Sequence, residues 1–289
     1  MKWMETMTQT ETMKQMVVTG CSTGFGRATA LLMARSGWRV WATVRKEADA
    51  QGLISEVGGV KNLVPVVCDI VRAEDIARLR SDVAARGGGL DALVNNAGTG
   101  YPGPLELIPL DDVRKQLELN TTAQLAVTQA LLPMLRAAHG MLINVSSVGG
   151  RVTFPMNGAY HMSKWAVEAM SDTLRVELAP FGVRVVIIEP GYSPTAIWDS
   201  SLKREVTAGL PARDWGDYTP LAVTVEQAAR AGAAGGFPPE DFAKLVHKIV
   251  NSRRPRTRYT IGREVPAVLF LRRLGDRVWD WSVRRTLRW

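Results

Sequence analysis

Between Met16 and Ile188 the sequence switches five times from a short β-rich apolar run to a longer amphipathic stretch and closes on a sixth such run. The runs are Met16–Val18, Arg39–Val44, Leu63–Val67, Leu90–Val94, Met141–Val145 and Gly182–Ile188. Helical composition follows the first five, at Arg27–Arg35, Glu47–Val57, Ala73–Arg86, Pro109–Arg136 and Asn157–Ala179. Strand runs apolar on both faces belong in a parallel sheet covered by helices on each side. Right-handed crossovers then leave few topologies, and the rhythm predicts an α/β doubly wound parallel sheet. Arg258–Ile261 adds a seventh strand. No linker of Pro, Gly and Ser divides the 289 residues, so one domain is expected from 15 to 262.

In such a sheet, ligands sit at the carboxyl ends of the strands. The first of these ends is Thr19-Gly20-Cys21-Ser22-Thr23-Gly24-Phe25-Gly26. A glycine turn between strand and helix lets backbone approach a pyrophosphate, which then meets unpaired N–H groups and the positive end of the helix dipole. The residues Gly20, Ser22, Thr23, Gly24, Phe25 and Gly26 are therefore candidates for holding a dinucleotide. The second strand ends in Arg45-Lys46, where an acid would bond a ribose hydroxyl; a cation there can pair with a 2′-phosphate. That points to NADP(H), with Glu47 and Asp49 near enough to keep NAD(H) as the weaker alternative.

Tyr160 and Lys164 stand one helical turn apart on one face. A free phenol titrates near ~10, and a neighbouring ammonium is expected to lower that value and make an acid/base of it. Ser147 lies thirteen residues upstream at the end of the fifth strand, with Ser146 as its neighbour on the opposite face. Asn120 falls inside a helical segment, against its propensity.

The glycine spacing Thr-Gly-x-x-x-Gly-x-Gly, the turn Asn95-Asn96-Ala97-Gly98, Asn120, Ser147 with Tyr160-x-x-x-Lys164, and Pro190-Gly191 with Thr195 occur in one order, and together they resemble the short-chain dehydrogenase/reductase family. The resemblance runs from about Val17 to Ile261. The glycine loop, Thr43-Val44-Arg45 and the basic carboxyl end look similar to 17β-hydroxysteroid and retinol dehydrogenase-like members. It implies a Rossmann-type fold and reversible conversion of a carbonyl to an alcohol. It also implies roles: Tyr160 as proton donor, Ser147 polarising the carbonyl, Lys164 lowering the Tyr160 pKa and bonding the nicotinamide ribose, and Asn120 bending its helix and holding a water. Asp69 and Ile70 would touch adenine; the other reading of Asp69 is a helix N-cap. Asn96, Ala97 and Gly98 would pass close to the cofactor, and Pro190, Gly191 and Thr195 would line the nicotinamide. Family members are commonly homodimers or homotetramers through their fourth and fifth helices. A 3-oxoacyl carrier-protein reductase and a non-enzymatic NADP-binding sensor are the alternatives.

Residues 192 to 237 break the rhythm and read as a substrate lid, its aromatics Trp198, Trp215, Tyr218 and Phe237 suiting a hydrophobic carbonyl or alcohol, such as a steroid, retinoid or aryl ketone. The alternative is that they pack the lid onto the body. Residues 1 to 14 are polar, carry no apolar signal core, and read as a disordered leader. No run is apolar enough to span a membrane, and Cys21 and Cys68 fall on strands that are not neighbours, so a cytoplasmic enzyme with free thiols is expected. His139, His161 and His247 have no metal-ligand spacing, so no metal is expected. From Arg253 to Trp289 there are eleven arginines against three acids, which accounts for the whole net charge of +8. This basic amphipathic extension, 263 to 289, admits three readings: a solvated arginine face, a subunit contact, or peripheral attachment to a membrane. No nucleic-acid module is present, and nucleic-acid binding is not expected.

Overall fold

The computed structural model describes residues 13–194 and 215–289. Seven parallel strands form one sheet: β1 (Gln15–Val18), β2 (Arg39–Val44), β3 (Leu63–Val67), β4 (Ala92–Asn95), β5 (Met141–Val145), β6 (Arg184–Pro190) and β7 (Arg258–Ile261), in the order β3-β2-β1-β4-β5-β6-β7. This is the Rossmann-type doubly wound sheet that the alternating runs predict. β1 pairs with β2 on one side and β4 on the other, Val17 lying opposite Trp41 and Leu93. The chain reverses its direction of winding there, so a crevice opens at the carboxyl ends of β1 and β4.

The helices between strands are α1 (Gly24–Arg35), α2 (Glu47–Val57), α3 (Ala73–Ala85), α4 (Leu110–Leu117), α5 (Ala123–Ala137) and α6 (Gly158–Leu178). Strand alternation sends β1 side chains into two cores. Met16 and Val18 pack with Ala30, Met33 and Phe242, and Val17 packs with Leu79, Val83 and Leu131 on the opposite face. Both cysteines are buried and free.

The later helices are α7 (Thr219–Ala234), α8 (Pro239–Val250), α9 (Val265–Arg272) and α10 (Asp276–Leu287). Thr195 and Trp198 lie outside the described residues. Of the other lid aromatics, Tyr218 donates its hydroxyl to Glu106 at 2.7 Å near the surface, whereas Trp215 is buried in a cluster with Met156 and Leu221, and Phe237 stacks 5.5 Å from Phe25. Trp215 and Phe237 serve the packing of this segment on the body.

Candidate active site

The glycine loop leaves β1 at Thr19 and starts α1 at Gly24. Gly20 (φ +72°) and Gly24 (φ +58°) hold left-handed backbone, which a side chain disfavours. A Cβ on Gly20 would lie 2.8 Å from Ala97 Cα, and one on Gly26 would collide with the Gly20 carbonyl and lie 2.5 Å from Asn96 Nδ2. Loop and Asn-Asn-Ala-Gly turn are thus one interlocked piece. Asn96 Nδ2 donates to the carbonyls of Thr19 (2.8 Å) and Gly20 (3.2 Å), while Thr19 Oγ1 accepts the Asn96 and Ala97 amides. Thr19, the first residue of the glycine motif and given no role by the sequence alone, is thus the residue that locks loop to turn.

The start of α1 has no side-chain cap and no acid in its first turn. Together with glycines too tightly packed for a Cβ, this fits a phosphate-bearing cofactor. Phe25 contributes backbone only, because its ring is stacked 4.3 Å from Phe242. Arg45 is exposed just past β2 and makes no ion pair among the described residues. Asp69 does not cap α3, whose N-cap is Arg72; its Oδ1 accepts the Val71 amide in a local turn (3.3 Å), and Ile70 is buried in the core.

On the far side of the crevice, β5 delivers Ser147 and α6 delivers Tyr160 and Lys164. The Ser147 hydroxyl accepts the Gly149 amide at 3.0 Å, and its influence on the Tyr160 phenol is to favour the phenolate. Ser146 turns away from this site towards Glu168 and Gly150. Lys164 is buried and donates to the Val145 carbonyl at 2.9 Å, with its ammonium 5.8 Å from the Tyr160 ring. Burial lowers Lys164 to about 8, against the pull of Glu168, so it is charged at neutral pH. Burial pushes the Tyr160 phenol up, with Ser147 opposing. The lowering expected from Lys164 does not emerge, because desolvation of the phenolate is the larger effect.

Asn120 sits in a π-helical turn, Glu118–Thr122, that separates α4 from α5. The single long helix read from the sequence is therefore two helices joined by a bulge. The Asn120 amide is held from both ends. Its Oδ1 accepts the Thr99 N–H (2.9 Å), and its Nδ2 donates to the Thr99 carbonyl and the Ser163 hydroxyl (both 3.0 Å). Ser163 donates in turn to the Tyr160 carbonyl at 2.7 Å. His161, read as a surface or groove residue, is buried: its Nδ1 lies 2.9 Å from the Gly149 carbonyl and its Nε2 accepts the Phe154 amide at 3.0 Å. That arrangement requires the Nδ1–H tautomer and pins both ends of the loop after β5 to the helix carrying Tyr160.

Pro190 and Gly191 end β6 beside Ser147, whose hydroxyl reaches the Pro190 carbonyl at 3.4 Å; Gly191 N–H bonds Ile261 O at 2.8 Å. A groove of about 850 Å³ is lined mainly by apolar groups including Phe154, Met156, Trp165, Trp279 and Trp289; Ser147, Tyr160 and Lys164 are not part of its lining.

The short chain dehydrogenase family model matches residues 14–206. The chain belongs to the short-chain dehydrogenases. It is 35% identical to human retinol dehydrogenase 16, over 86% of this chain and 80% of that one. It is 34% identical to the NADPH-dependent 3-dehydrocapnine reductase of Ornithobacterium rhinotracheale, over 86% and 88%. A crystal structure of a short-chain dehydrogenase from Streptomyces avermitilis superimposes with a TM-score of 0.77 at 29% identity, covering 94% of this chain and 97% of that chain. As a member of this family the chain is an oxidoreductase of CH–OH groups that binds a nicotinamide cofactor.

Proposed function

We propose that this short-chain dehydrogenase uses NADP(H) to interconvert a ketone and a secondary alcohol on a hydrophobic substrate. The observation that carries the reading is the set gathered at the carboxyl end of the sheet: Ser147 at the end of β5, Lys164 buried one turn on from Tyr160 and bonded to the Val145 carbonyl, and Asn120 tied through Ser163 to the same helix.

When bound, the cofactor supplies or accepts hydride at the carbonyl carbon. The remaining work falls to the side chains. Tyr160 keeps its proton at neutral pH, the state from which it can protonate a carbonyl oxygen. Ser147 offers its hydroxyl to the same oxygen and holds the phenol in line. Lys164 brings a positive charge to the side of the site where an alkoxide or phenolate develops. Asn120 fixes Thr99 and Ser163, and so the first turn of α6, with Thr99 just beyond Gly98 of the cofactor-side turn. Gly20, Ser22, Thr23, Gly24, Gly26 and the Phe25 backbone would hold the pyrophosphate, and Asp69 with the Ile70 backbone would meet adenine. The exposed Arg45 would pair with the 2′-phosphate, and Pro190 and Gly191 would back the nicotinamide. The identity to retinol dehydrogenase 16 supports a hydrophobic substrate. Exposed Met162, Trp165 and Val176 on α6 support association into a dimer or tetramer through that helix.

The test is NADPH oxidation with a panel of steroid, retinoid and aryl ketones. Tyr160→Phe should reduce turnover by roughly 10²–10⁴-fold while NADPH fluorescence still reports binding. Undiminished turnover in that variant would remove Tyr160 from the mechanism.

A further inference from the structure

The carboxyl-terminal helices present a second functional surface. On α10 the residues facing the body are Trp279, Val283 and Leu287. Trp279 is buried, its indole N–H donates to the Thr153 carbonyl at 3.1 Å, and its ring meets Phe154 edge-on at 5.3 Å. The opposite face of α10 carries Val278 and Trp281, and α9 with its following turn carries Phe270 and Leu274. Phe270 is 64%, Leu274 52% and Trp281 61% exposed. Arg273, Arg277, Arg284, Arg285 and Arg288 are exposed among them, with the Arg285 guanidinium 5.5 Å from the Trp281 ring.

The acids of this segment do little to offset that charge. Glu264 points into the body, where it accepts the Tyr192 amide at 2.6 Å, and Asp276 is paired with Arg272 at 2.5 Å. Only Asp280 remains, and it borders the groove on the body side together with Arg284, which leaves Arg273, Arg277, Arg285 and Arg288 on the outward side. No helix among the described residues is long and apolar enough to cross a membrane. What α9 and α10 offer instead is large apolar side chains interleaved with arginines on faces the fold does not use. Such a face suits the boundary between headgroups and acyl chains of an anionic bilayer.

We propose that the outward faces of α9 and α10 dock this protein on an anionic lipid surface, with Phe270, Leu274, Val278 and Trp281 entering the acyl boundary and the arginines meeting the headgroups. The apolar members favour a bilayer over a nucleic acid, whose phosphates would engage the arginines alone. The surface is independent of the substrate, so it stands or falls apart from the ketone assay.

The experiment is flotation of the full chain with phosphatidylcholine vesicles, neutral or containing about one third phosphatidylserine. The chain should float with the anionic vesicles, stay behind with the neutral ones, and be released as salt rises. Trp281 fluorescence should shift to the blue on binding. Phe270→Ser with Trp281→Ser, and separately Arg277→Glu with Arg285→Glu, should each lower the partition coefficient at least about tenfold, with circular dichroism unchanged. Three outcomes would overturn the proposal: no flotation, equal flotation on neutral vesicles, or capture by RNA without flotation. A dimer that dissociates in these same variants, with no vesicle binding by the parent chain, would assign the face to a second copy and overturn it too.

Discussion

Arg258 is the residue whose loss should be felt furthest from its own strand. It leaves β7 and reaches three carboxylates on two other elements. It lies 3.1 Å from Glu168 and 2.7 Å from Asp172 on α6, and 3.2 Å from Glu189 on β6. Arg151 reaches Glu189 from the other side at 3.0 Å. Glu168 and Glu189 retain only 8% and 1% of their side-chain surface, so Arg258→Met would strand Glu168 away from water and leave Glu189 with Arg151 alone. Breaking a buried pair on one side costs roughly 3–5 kcal/mol. Arg258 keeps 29% of its surface and Asp172 44%, so water relieves part of this, and roughly 2–4 kcal/mol is expected. For a chain of this length that lowers the melting temperature by about 3–6 °C. The pH dependence has a definite sign. Burial already raises the Glu168 carboxyl above its ordinary 4.5, and removing its cation raises it further. A carboxyl raised in the folded state costs stability where it is forced to ionise, above its folded value, and the cost fades as pH falls towards 4.5. Chemical denaturation at neutral pH and near pH ~5 should therefore show a deficit that shrinks on acidification. Glu168→Gln added to Arg258→Met should recover at least about 1 kcal/mol. A deficit below about 1 kcal/mol, or one indifferent to pH, would show that the cluster is solvated and does not tie β7 to α6.

Two further substitutions test the cofactor side. Arg45→Asp should move the ratio of kcat/KM for NADPH over NADH down by roughly tenfold or more, since it replaces a cation with an acid where a 2′-phosphate would lie; an unchanged ratio would separate Arg45 from the cofactor. Gly26→Ala should cost roughly 1–3 kcal/mol and weaken NADPH binding, because its methyl would meet the Gly20 backbone and the Asn96 amide. Gly52→Ala is the matched control: it lies within α2, meets only Arg27 at 3.6 Å, and should be neutral or stabilising by up to about 1 kcal/mol. Equal effects of the two alanines would mean that the loop is not interlocked as described.

Much of the sheet was legible because burial on both faces leaves a strong mark in sequence. The apolar runs at Arg39–Val44 and Leu63–Val67 became β2 and β3 with the same bounds. Asn120 was legible only as an anomaly, a polar residue against helix propensity, and the π-turn around it explains the anomaly. Other features depend on what distant segments bring. Asn95 is bonded to Thr128 and to Asn144, and Asn144 to Ser171, a buried polar chain that no short motif encodes. His161 has no metal-ligand spacing and no role in the motifs around it, yet it clamps the loop after β5. The Tyr160 pKa was misjudged in sign for a related reason: spacing reveals the neighbouring ammonium, whereas desolvation depends on the whole crevice.

The four-residue period of α6 joins these observations. Tyr160, Lys164, Glu168 and Asp172 follow one another on one side of the helix, a turn apart. The first two face the crevice at the carboxyl ends of the strands, and the last two face Arg258. Glu168 is the residue between. It is held from behind by Arg258, while its charge works against the burial that drives the Lys164 ammonium down to about 8. Without that opposing charge the lysine would fall further and lose its proton nearer neutral pH. The position and charge state of the proposed proton-delivery pair thus depend on an ion cluster one to two turns away, anchored by β7. The helix behaves as a single lever with chemistry at one end and its electrostatic support at the other.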